Sequence, residues 1–397
     1  MSTPKSPSIY FSVGEPSGDL HAAKLIQNLR SQVQNLTFGG LGGPQMSAAG
    51  CRIDYPLTEL AVVGFVEVLP KLREFFRVAR LAAESMDRHR PDAVVLVDFP
   101  GFNWHIAKRA KQRGIPVFYY LPPQLWAWGS WRIHKMRSYV DHVLCNLPFE
   151  QQWFQRHGVP ATLVGHPFFD EVAERNLDQQ MIHHWSRQHG VRVAVLPGSR
   201  AREVHNIWPM QLAAIRQLAT AHPQAHFLVA CLKDAHCLWC RQQLTATDRR
   251  LNIHFFVNRT SEVVSLADCG LVKSGSVSLE LMARHVPTVI VYHVGRIMYQ
   301  IARRLTDIDT ISLPNMLAGQ KVMQEFLAIG STSRVVDPIV TAMNRLMSDP
   351  LELARQKAAL KDLSQRYAQP GASQRAARAI CDQLGWNTSN QSLRQAG

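Results

Sequence analysis

The sequence predicts an α/β protein made of two domains, each built around a parallel β-sheet. At 397 residues the chain exceeds the size, about 250 to 300 residues, at which single cores stop growing. Short runs rich in β-branched residues alternate with helical patterns, as in sheets whose strands are joined by helices. The runs are almost continuously apolar, which is typical of strands covered on both faces.

The elements fall into two series. Strands of the first series are predicted at residues 9–13, 93–97, 117–120, 142–145 and 161–164. Strands of the second series are predicted at residues 193–196, 226–230, 253–256, 270–272 and 289–292. The segment 170–188 between them is polar, with little apolar periodicity, and is interpreted as a linker. The predicted domains are therefore 1–180 and 181–345, followed by C-terminal helices and a flexible tail over 346–397.

Pro370 and Gly371 interrupt the C-terminal helical region. The helix that follows them either returns to the first domain or exchanges with a second copy in a homodimer. The sequence leaves both arrangements open.

Charge and cysteine content narrow the class of protein. The formal charge of +14 predicts attraction to polyanions: nucleic acid, anionic lipid or phosphorylated substrates. The basic residues are scattered and lack the spacing of a nucleic-acid-binding motif, so we expect no nucleic-acid partner. Seven Cys is an odd number, and several lie in apolar segments, which favours a reducing compartment. With no signal peptide and no apolar run of about 18 residues, a cytoplasmic protein is expected.

Glycine-rich turns follow the first strand and two strands of the second half. The first turn, Gly14 to Asp19, leads directly into an amphipathic helix at the edge of the sheet where ligands bind in open α/β folds. A plain turn capped by Ser17 or Asp19 explains the same pattern, and from spacing alone both interpretations stay open.

Two loops in the second half have the character of phosphate sites. The loop at 197–200 combines Gly198 with Ser199 and Arg200, whose guanidinium can pair with a diphosphate. In the segment 273–280, a predicted strand is followed by Gly-Ser and then by the start of a predicted helix. The free backbone amides at a helix start attract anions. Glu280 follows one helical turn later and can accept hydrogen bonds from ribose hydroxyls. Together these features predict a nucleotide-sugar site.

Several segments, taken in order, resemble lipid-A-disaccharide synthases. They are residues 14–19 (Gly-Glu-Pro-Ser-Gly-Asp), 126–128 (Trp-Ala-Trp), 147–150 (Leu-Pro-Phe-Glu), 164–167 (Val-Gly-His-Pro), 196–200 with Glu203, and 312–319 (Ser-Leu-Pro-Asn-Met-Leu-Ala-Gly). The resemblance extends from residue 9 to about residue 380. Pro16 and Ser276 depart from it, because the family usually has Thr at both positions. Ser276 keeps the hydroxyl, whereas Pro16 removes a backbone donor and puts the substrate contacts of the first turn in doubt.

The resemblance implies a GT-B fold, with two Rossmann-like domains and a ligand cleft between them. It implies an inverting glycosyltransferase that joins UDP-2,3-diacylglucosamine to 2,3-diacylglucosamine 1-phosphate, giving a β(1→6) disaccharide and UDP in lipid A biosynthesis. It also implies that no metal or cofactor is needed, because the cationic loops can neutralise UDP.

An inverting transfer needs a base for the acceptor hydroxyl and positive charge for the departing UDP. Asp98 follows the strand 93–97, matches the family's carboxylate there and is the leading base, with Glu15 and Asp19 as the other carboxylates at that edge. A turn-capping role for Asp98 stays open. Arg200 is the expected clamp on the diphosphate. The predicted donor-binding set is Gly198, Ser199, Arg200, Glu203, Ser274, Gly275, Ser276, Glu280 and Asn315.

A local cluster of thiols raises the question of a metal site. Cys231, His236, Cys237 and Cys240 contain a single Cys-x-x-Cys without a second pair or a suitable distant His. The spacing is poor for zinc, so we expect no metal.

Residues 62–78 become amphipathic after Pro70. The apolar residues are Leu69, Leu72, Phe75, Phe76 and Val78, and the cations are Lys71, Arg73, Arg77 and Arg80. This pattern suits an interfacial helix on anionic lipid, although a helix packed on the sheet has the same pattern. Because acylated substrates must leave a bilayer, we expect a lipid contact and peripheral association with the inner membrane.

Two other functions share the donor loops. A GT-B relative with another UDP-sugar, such as a lipid-linked N-acetylglucosaminyltransferase or a UDP-sugar 2-epimerase, would keep them. A non-enzymatic module that binds a membrane surface would retain only the fold and would tolerate loss of Asp98 and Arg200.

Overall fold

The computed structural model describes residues 6–61, 68–127, 129–305 and 310–386, without the side chains at 61, 68–72, 301, 302, 304 and 305. The chain forms two compact units, each with its own core. The first comprises Met1–Pro167 together with Pro370–Gly397, and the second comprises Phe168–Gln369.

The first unit is a parallel sheet with helices on both faces. Its described strands are β1 Ser8–Val13, β2 Thr37–Leu41, β3 Arg52–Tyr55, β4 Ala93–Val97, β5 Val117–Tyr120, β6 His142–Cys145 and β7 Ala161–Leu163, in the order β3-β2-β1-β4-β5-β6-β7. Its helices in chain order are α1 Pro16–Gln32, α2 Pro44–Ala48, α3 Leu57–Ala61, α4 Val68–His89, α5 Pro100–Lys111, α6 Ile133–Tyr139 and α7 Pro148–Arg156. Residues of β4 alternate between two apolar clusters, Val95 and Val97 in one and Val94 and Leu96 in the other, so the sheet is covered on both faces.

The second unit repeats this plan. Its described strands are β8 Arg192–Leu196, β9 His226–Cys231, β10 Ile253–Val257, β11 Cys269–Lys273, β12 Thr288–Val294 and β13 Gln324–Ile329, in the order β10-β9-β8-β11-β12-β13. Its helices are α8 Phe168–Glu174, α9 Gln179–Ser186, α10 Ala201–Ala221, α11 Asp234–Gln242, α12 Thr260–Leu266, α13 Val277–Ala283, α14 Arg296–Leu305, α15 Leu313–Ala318, α16 Val336–Ser348 and α17 Pro350–Tyr367. The two series of strands predicted from the sequence are present.

Three strands were not predicted: β2, β3 and β13. β2 reads Thr-Phe-Gly-Gly-Leu, and its glycines weaken the strand pattern. The structure explains one of them, since a Cβ at Gly40 would lie 2.2 Å from the carbonyl oxygen of Phe11 in β1. Gly40 is therefore required by the close approach of β1 and β2. In the sequence, however, a pair of glycines indicates a turn, which is why β2 was not predicted.

The bounds of the two units differ from those of the domains predicted from the sequence. The first unit ends at Pro167, and the segment that follows belongs to the second unit, where α8 contacts α13 and Arg175 donates to Ser261 Oγ at 2.6 Å. α16 and α17 also belong to the second unit.

The last described helix, α18 Ala372–Leu384, belongs to the first unit. It packs on α1, and its residues Ala376, Ala377, Ile380 and Cys381 join the core beneath that helix. Arg375 donates to the carbonyl of Val164 at 2.7 Å. In this single chain, the helix packs on the first unit, which is one of the two arrangements left open by the sequence.

Candidate active site

The strand order creates a point in each sheet where successive connections turn in opposite directions. In the first unit this point lies between β1 and β4, and in the second between β8 and β11. Ligands in open α/β sheets bind beside the carboxyl ends of strands at such points. The loops singled out from the sequence, at 14–19 and 98–103 and at 197–200 and 274–276, follow these four strands. Topology therefore brings each pair of loops together.

Asp98 lies on a tight turn at the end of β4. Asp98 and Phe99 both adopt left-handed backbone conformations, with φ of 49° and 43°. Such conformations are unfavourable for non-glycine residues and persist where surrounding contacts enforce them. A Cβ at Gly14 would lie 2.3 Å from the Phe99 ring, so the turn also needs a glycine opposite it.

Asn103 of α5 fixes this turn through side-chain hydrogen bonds. Its Nδ2 donates to the carbonyl of Asp98 at 2.8 Å, and its Oδ1 accepts from Ser12 Oγ of β1 at 2.7 Å. Tyr119 Oη donates to the same Asp98 carbonyl at 2.8 Å. The backbone oxygen of Asp98 is thus fixed by two side chains that are themselves buried. Its carboxylate has a defined position as a result.

The Asp98 carboxylate lies over the first turn of α1. Its Oδ2 would be 3.0 Å from a Cβ at Gly18, so only glycine lets the carboxylate lie this close to the helix. Burial, and then the negative charge of the exposed Glu15, raise the pKa of Asp98 to about 7. A carboxyl group with this pKa can accept a proton near neutral pH.

Asp19, the third carboxylate predicted at this edge, has a different role. It is buried and accepts hydrogen bonds from the amides of Gly43, Gln45 and Met46 at 3.0, 2.9 and 3.2 Å. These amides belong to the start of α2. The Asp19 carboxylate is thus occupied by three donors from within the first unit. Asp19 therefore anchors α2 to α1, which is not the role predicted from the sequence.

Pro16 occupies the first turn of α1, where a backbone amide has no partner within the helix. The donor that it lacks is therefore one that the helix does not use.

In the second unit, the loop after β8 is organised by Glu203 of α10. Glu203 Oε2 accepts from the amides of Ser199 and Arg200 at 3.1 and 3.4 Å, and Oε1 accepts from Lys273 Nζ at 2.8 Å. Its pKa lies below the usual value although burial opposes this, because the hydrogen bond and charge of Lys273 and the two amides favour the carboxylate. Glu203 therefore shapes the loop from within.

The loops after β8 and β11 border a pocket that Lys273 lines, whereas Arg200 lies on the loop beside it and is not among the lining residues. Arg200 projects outward, with 81% of its side chain exposed, and lies 3.7 Å from Glu203. Lys273, at the end of β11, is only 15% exposed and also lies over the Tyr292 ring. The lining residues are Leu196, Gly198, Ser199, Glu203, Ala230, Leu232, Thr260, Lys273, Gly275, Ser276 and Val277. Lys273 was missing from the predicted binding set, although it opens the Lys-Ser-Gly-Ser motif.

Gln211 of α10 connects the two strands that flank the reversal point of the second unit. It is buried on α10, and its Nε2 donates to the carbonyls of Leu196 at 3.2 Å and Leu271 at 2.9 Å. It thus joins the end of β8 to the middle of β11. Gln211 and Asn103 were both missed from the sequence. A signal existed, since each is a polar residue on the apolar face of its helix.

Asn315 and Ser274 belong to a second layer of contacts. Asn315 is buried, where it accepts from the amides of Val322 and Met323 and donates to Glu325 at 2.7 Å. Ser274 Oγ donates to the carbonyl of Ile311 at 2.6 Å. Ser274 connects the end of β11 to Ile311, and Asn315 connects α15 to the segment that leads into β13. Neither side chain is among those that line the pocket.

Glu280, predicted to bind ribose, is buried on α13 and accepts from Arg284 at 3.0 Å. It is absent from the residues that line the pocket in this structure.

The predicted lipid-facing residues of α4 that the structure describes lie in different environments: some are packed against the first unit and one is exposed. Phe75 contacts Phe99 and Phe102, with ring centroids 6.0 and 5.7 Å away, and Val78 is buried. Phe76 is 55% exposed. The side chains of Leu69 and Leu72 lie outside the described residues, as does Trp128 of the Trp-Ala-Trp motif. Among described residues, Phe76 is thus the exposed apolar side chain of the predicted face.

The described residues offer neither a metal site nor a membrane span. Cys231, Cys237 and Cys240 are buried free thiols. Within the described ranges, no group of three or more His, Cys, Asp or Glu is placed to hold a metal ion. Among the helices in those ranges, none has the length and apolar character needed to cross a bilayer.

The comparisons with known proteins decide the family. A family model described as lipid-A-disaccharide synthetase matches residues 9–379. The chain belongs to the lipid-A-disaccharide synthase family. Curated relatives of that name include those of Anaeromyxobacter dehalogenans, 35% identical over 92% of this chain and 95% of the relative, and Geobacter metallireducens, 30% identical over 97% and 99%.

Solved structures support the fold. A UDP-GlcNAc 2-epimerase from Neisseria meningitidis superposes with a TM-score of 0.61 at 13% identity, covering 96% of this chain and 99% of the epimerase. The calicheamicin glycosyltransferase CalG4 superposes with a TM-score of 0.59 at 15% identity, covering 96% and 98%. The fold is therefore GT-B-like, as predicted.

Membership in the lipid-A-disaccharide synthase family confirms the activity that the sequence predicts. The protein is a glycosyltransferase of lipid A biosynthesis. The epimerase and the non-enzymatic membrane module, which the sequence left as alternatives, do not fit this family.

Proposed function

We propose that the enzyme transfers a diacylglucosamine unit from UDP-2,3-diacylglucosamine to the 6-hydroxyl of 2,3-diacylglucosamine 1-phosphate. The hydroxyl oxygen forms a bond to the anomeric carbon of the donor, and the bond from that carbon to the diphosphate breaks. The hydroxyl proton passes to a base of the enzyme, and UDP leaves with the electron pair of the broken bond. The product is the β(1→6) disaccharide.

The observation that carries this proposal is the different chemistry at the two points where strand order reverses. The first unit holds a carboxyl group whose pKa is raised to about 7, and the second holds a lysine and an arginine beside a glycine loop. Proton removal and charge neutralisation are the two requirements of an inverting transfer from a nucleotide diphosphate.

Asp98 is proposed as the base. Support comes from its raised pKa, its position over the start of α1, and the two side chains that fix its backbone. Glu15, which is exposed and close enough to affect the Asp98 pKa, is proposed to contact the acceptor and to tune the base.

Arg200 and Lys273 are proposed to neutralise the leaving diphosphate. Most of the Arg200 side chain is exposed, so it is proposed to turn toward the diphosphate when the ligand binds. Lys273 is held in place by Glu203 and has a fixed orientation. Gly198 and Gly275 allow the diphosphate to approach the backbone, and Glu280 is proposed to turn toward the ribose when UDP binds.

Both substrates carry acyl chains, so we propose that the enzyme works at the cytoplasmic face of the inner membrane. Attraction to anionic lipid is supported by the charge of +14 and by the exposed ring of Phe76 on the cationic helix α4.

The test supplies both lipid substrates in detergent micelles to the purified protein and measures disaccharide and UDP. Asp98→Asn should lower kcat by about 100-fold or more, which is the range for loss of general base catalysis. Arg200→Ala should cost a similar factor through the leaving group. No disaccharide from the unaltered protein would refute the proposed reaction, and full activity of Asp98→Asn would refute the proposed base.

Lys273 has its own test. Lys273→Met should weaken UDP binding about tenfold, because a charged hydrogen-bond donor is worth about 1.5 to 3 kcal/mol. Lys357→Met, at an exposed position on α17, serves as a control for the loss of one positive charge. Equal UDP affinity of the two variants, measured by calorimetry, would exclude Lys273 from the site.

A further inference from the structure

An exposed apolar patch lies on α14, the helix that follows β12. Ile297 is 79% exposed and Met298 is 54% exposed, on adjacent positions of the first turn of the helix. Exposed apolar residues are common on protein surfaces when they are single. Ile297 and Met298 instead lie side by side and form one exposed apolar patch.

The charge around this patch is positive. Arg296, directly before Ile297, and Arg303, near the end of α14, are both exposed, and the helix contains no acidic residue. Exposed apolar side chains flanked by cations are the features of helices that lie in the surface of an anionic bilayer. Leu351 of the second unit, 82% exposed, differs: it stands between Asp349 and Glu352, whose charges anionic lipid would repel.

The position of α14 connects the patch to the donor pocket. β11 and β12 are paired, with Lys273 opposite Val291, and Lys273 lies over the ring of Tyr292. α14 starts two residues after β12 ends, at the same edge of the sheet as the glycine loops. The patch therefore lies at the same edge of the second unit's sheet as the pocket proposed to hold the donor.

We propose that α14 is a lipid-binding element of the second unit, separate from α4, that inserts Ile297 and Met298 into the surface of an anionic bilayer. The expected benefit of a lipid-binding helix beside the donor pocket rests on the proposed function, because a donor with two acyl chains leaves the bilayer most easily where that pocket meets lipid. The binding itself needs no substrate.

The test measures binding to vesicles of phosphatidylethanolamine and phosphatidylglycerol by co-sedimentation, without substrate. The Ile297→Ser/Met298→Ser double variant should bind at least tenfold more weakly than the unaltered protein. The matched control, Leu351→Ser, removes an equally exposed apolar residue from a helix with acidic neighbours and should change binding less than twofold. Vesicles of phosphatidylcholine alone should bind all proteins weakly, since they lack the anionic charge that Arg296 and Arg303 would meet.

Three outcomes would overturn the proposal. One is unchanged vesicle binding by the double variant. Another is equal loss with Leu351→Ser, which would mean that any exposed apolar residue contributes. The third is a dimer by light scattering that the double variant converts to a monomer without loss of vesicle binding, since the patch would then bind a second copy. An unchanged thermal midpoint and UDP affinity of the double variant would confirm that it is folded.

Activity separates this inference from the proposed function. In detergent micelles the double variant should form disaccharide at the rate of the unaltered protein, because no bilayer has to be contacted. If the unaltered protein formed no disaccharide but bound vesicles through α14, the proposed function would fail and the inference would stand. If the unaltered protein formed disaccharide in micelles and the double variant bound vesicles as tightly as the unaltered protein, the proposed function would stand and the inference about α14 would fail.

Discussion

At the scale of residues, this protein uses buried polar side chains to build its two loop pairs. Asn103 joins β1 to the turn after β4, and Gln211 joins β8 to β11. Each amide nitrogen donates to carbonyl oxygens at or near the strand ends, and a buried carbonyl left without a donor is costly. The loops that carry Asp98 and Arg200 are thus fixed to strands and do not depend on loop conformation alone.

The raised pKa of Asp98 predicts how activity depends on pH. A base must be deprotonated, so kcat should rise as pH increases through about 7. Because the charge of Glu15 helps to raise this pKa, Glu15→Gln should move the midpoint of the pH profile to lower pH. An unmoved midpoint would show that the titrating group is not Asp98.

The same shift has a consequence for stability. The folded state binds the Asp98 proton more tightly than the unfolded state, so this carboxyl destabilises the fold as pH rises from its ordinary value toward 7. At pH 8 the Asp98→Asn variant should therefore melt no lower than the unaltered protein, which separates a loss of catalysis from a loss of folding. A lower melting temperature of Asp98→Asn would contradict this sign.

At the scale of elements, α4 shows how one amphipathic helix serves two purposes. Phe76→Ser should weaken binding to anionic vesicles about tenfold with little effect on folding, because the ring is exposed. Phe75→Ser should instead lower the free energy of unfolding by about 2 kcal/mol, because its ring contacts Phe99 and Phe102. Vesicle co-sedimentation and urea unfolding of both variants check this. Reversed effects would mean that the lipid-facing side of α4 is misassigned.

The second prediction at the scale of elements concerns the C-terminal helix α18. Ile380 is fully buried against the first unit's core, so Ile380→Ala should cost about 2 to 5 kcal/mol in urea unfolding. Leu351→Ala, at an exposed position, should cost almost nothing. The unfolding midpoint should not depend on protein concentration, because α18 packs on α1 of its own chain. A midpoint that rises with concentration would point to exchange of the helix between two copies.

At the scale of the whole molecule, each unit has its own apolar clusters, which predicts separable behaviour of the two units. UDP at 100 times its Kd should stabilise the second unit by about 2.7 kcal/mol through binding linkage. Hydrogen exchange should then slow most at residues 198–203 and 273–277. Uridine, which lacks the diphosphate, should protect these segments less, and EDTA should leave the effect of UDP unchanged. Protection confined to the first unit would relocate the donor site.

The sequence by itself determined the fold class, most strands, the family and the loops that matter, because these depend on local patterns. Apolar runs mark strands buried on both faces, and glycines at their ends mark turns. Asp98 and Arg200 could be singled out for the same reason, since each follows a strand end directly.

Only the tertiary structure decided what each polar side chain contacts. Asp19 looks like a third active-site carboxylate in the sequence, yet it binds three amides from a segment about 25 residues away. Lys273 and Glu203 are 70 residues apart and meet because β8 and β11 are neighbours in the sheet. Phe75 and Phe76 are adjacent, but helical geometry turns one ring inward and the other outward. The identity of a residue is local, whereas its partners are set by strand order and packing, and no local pattern contains that information.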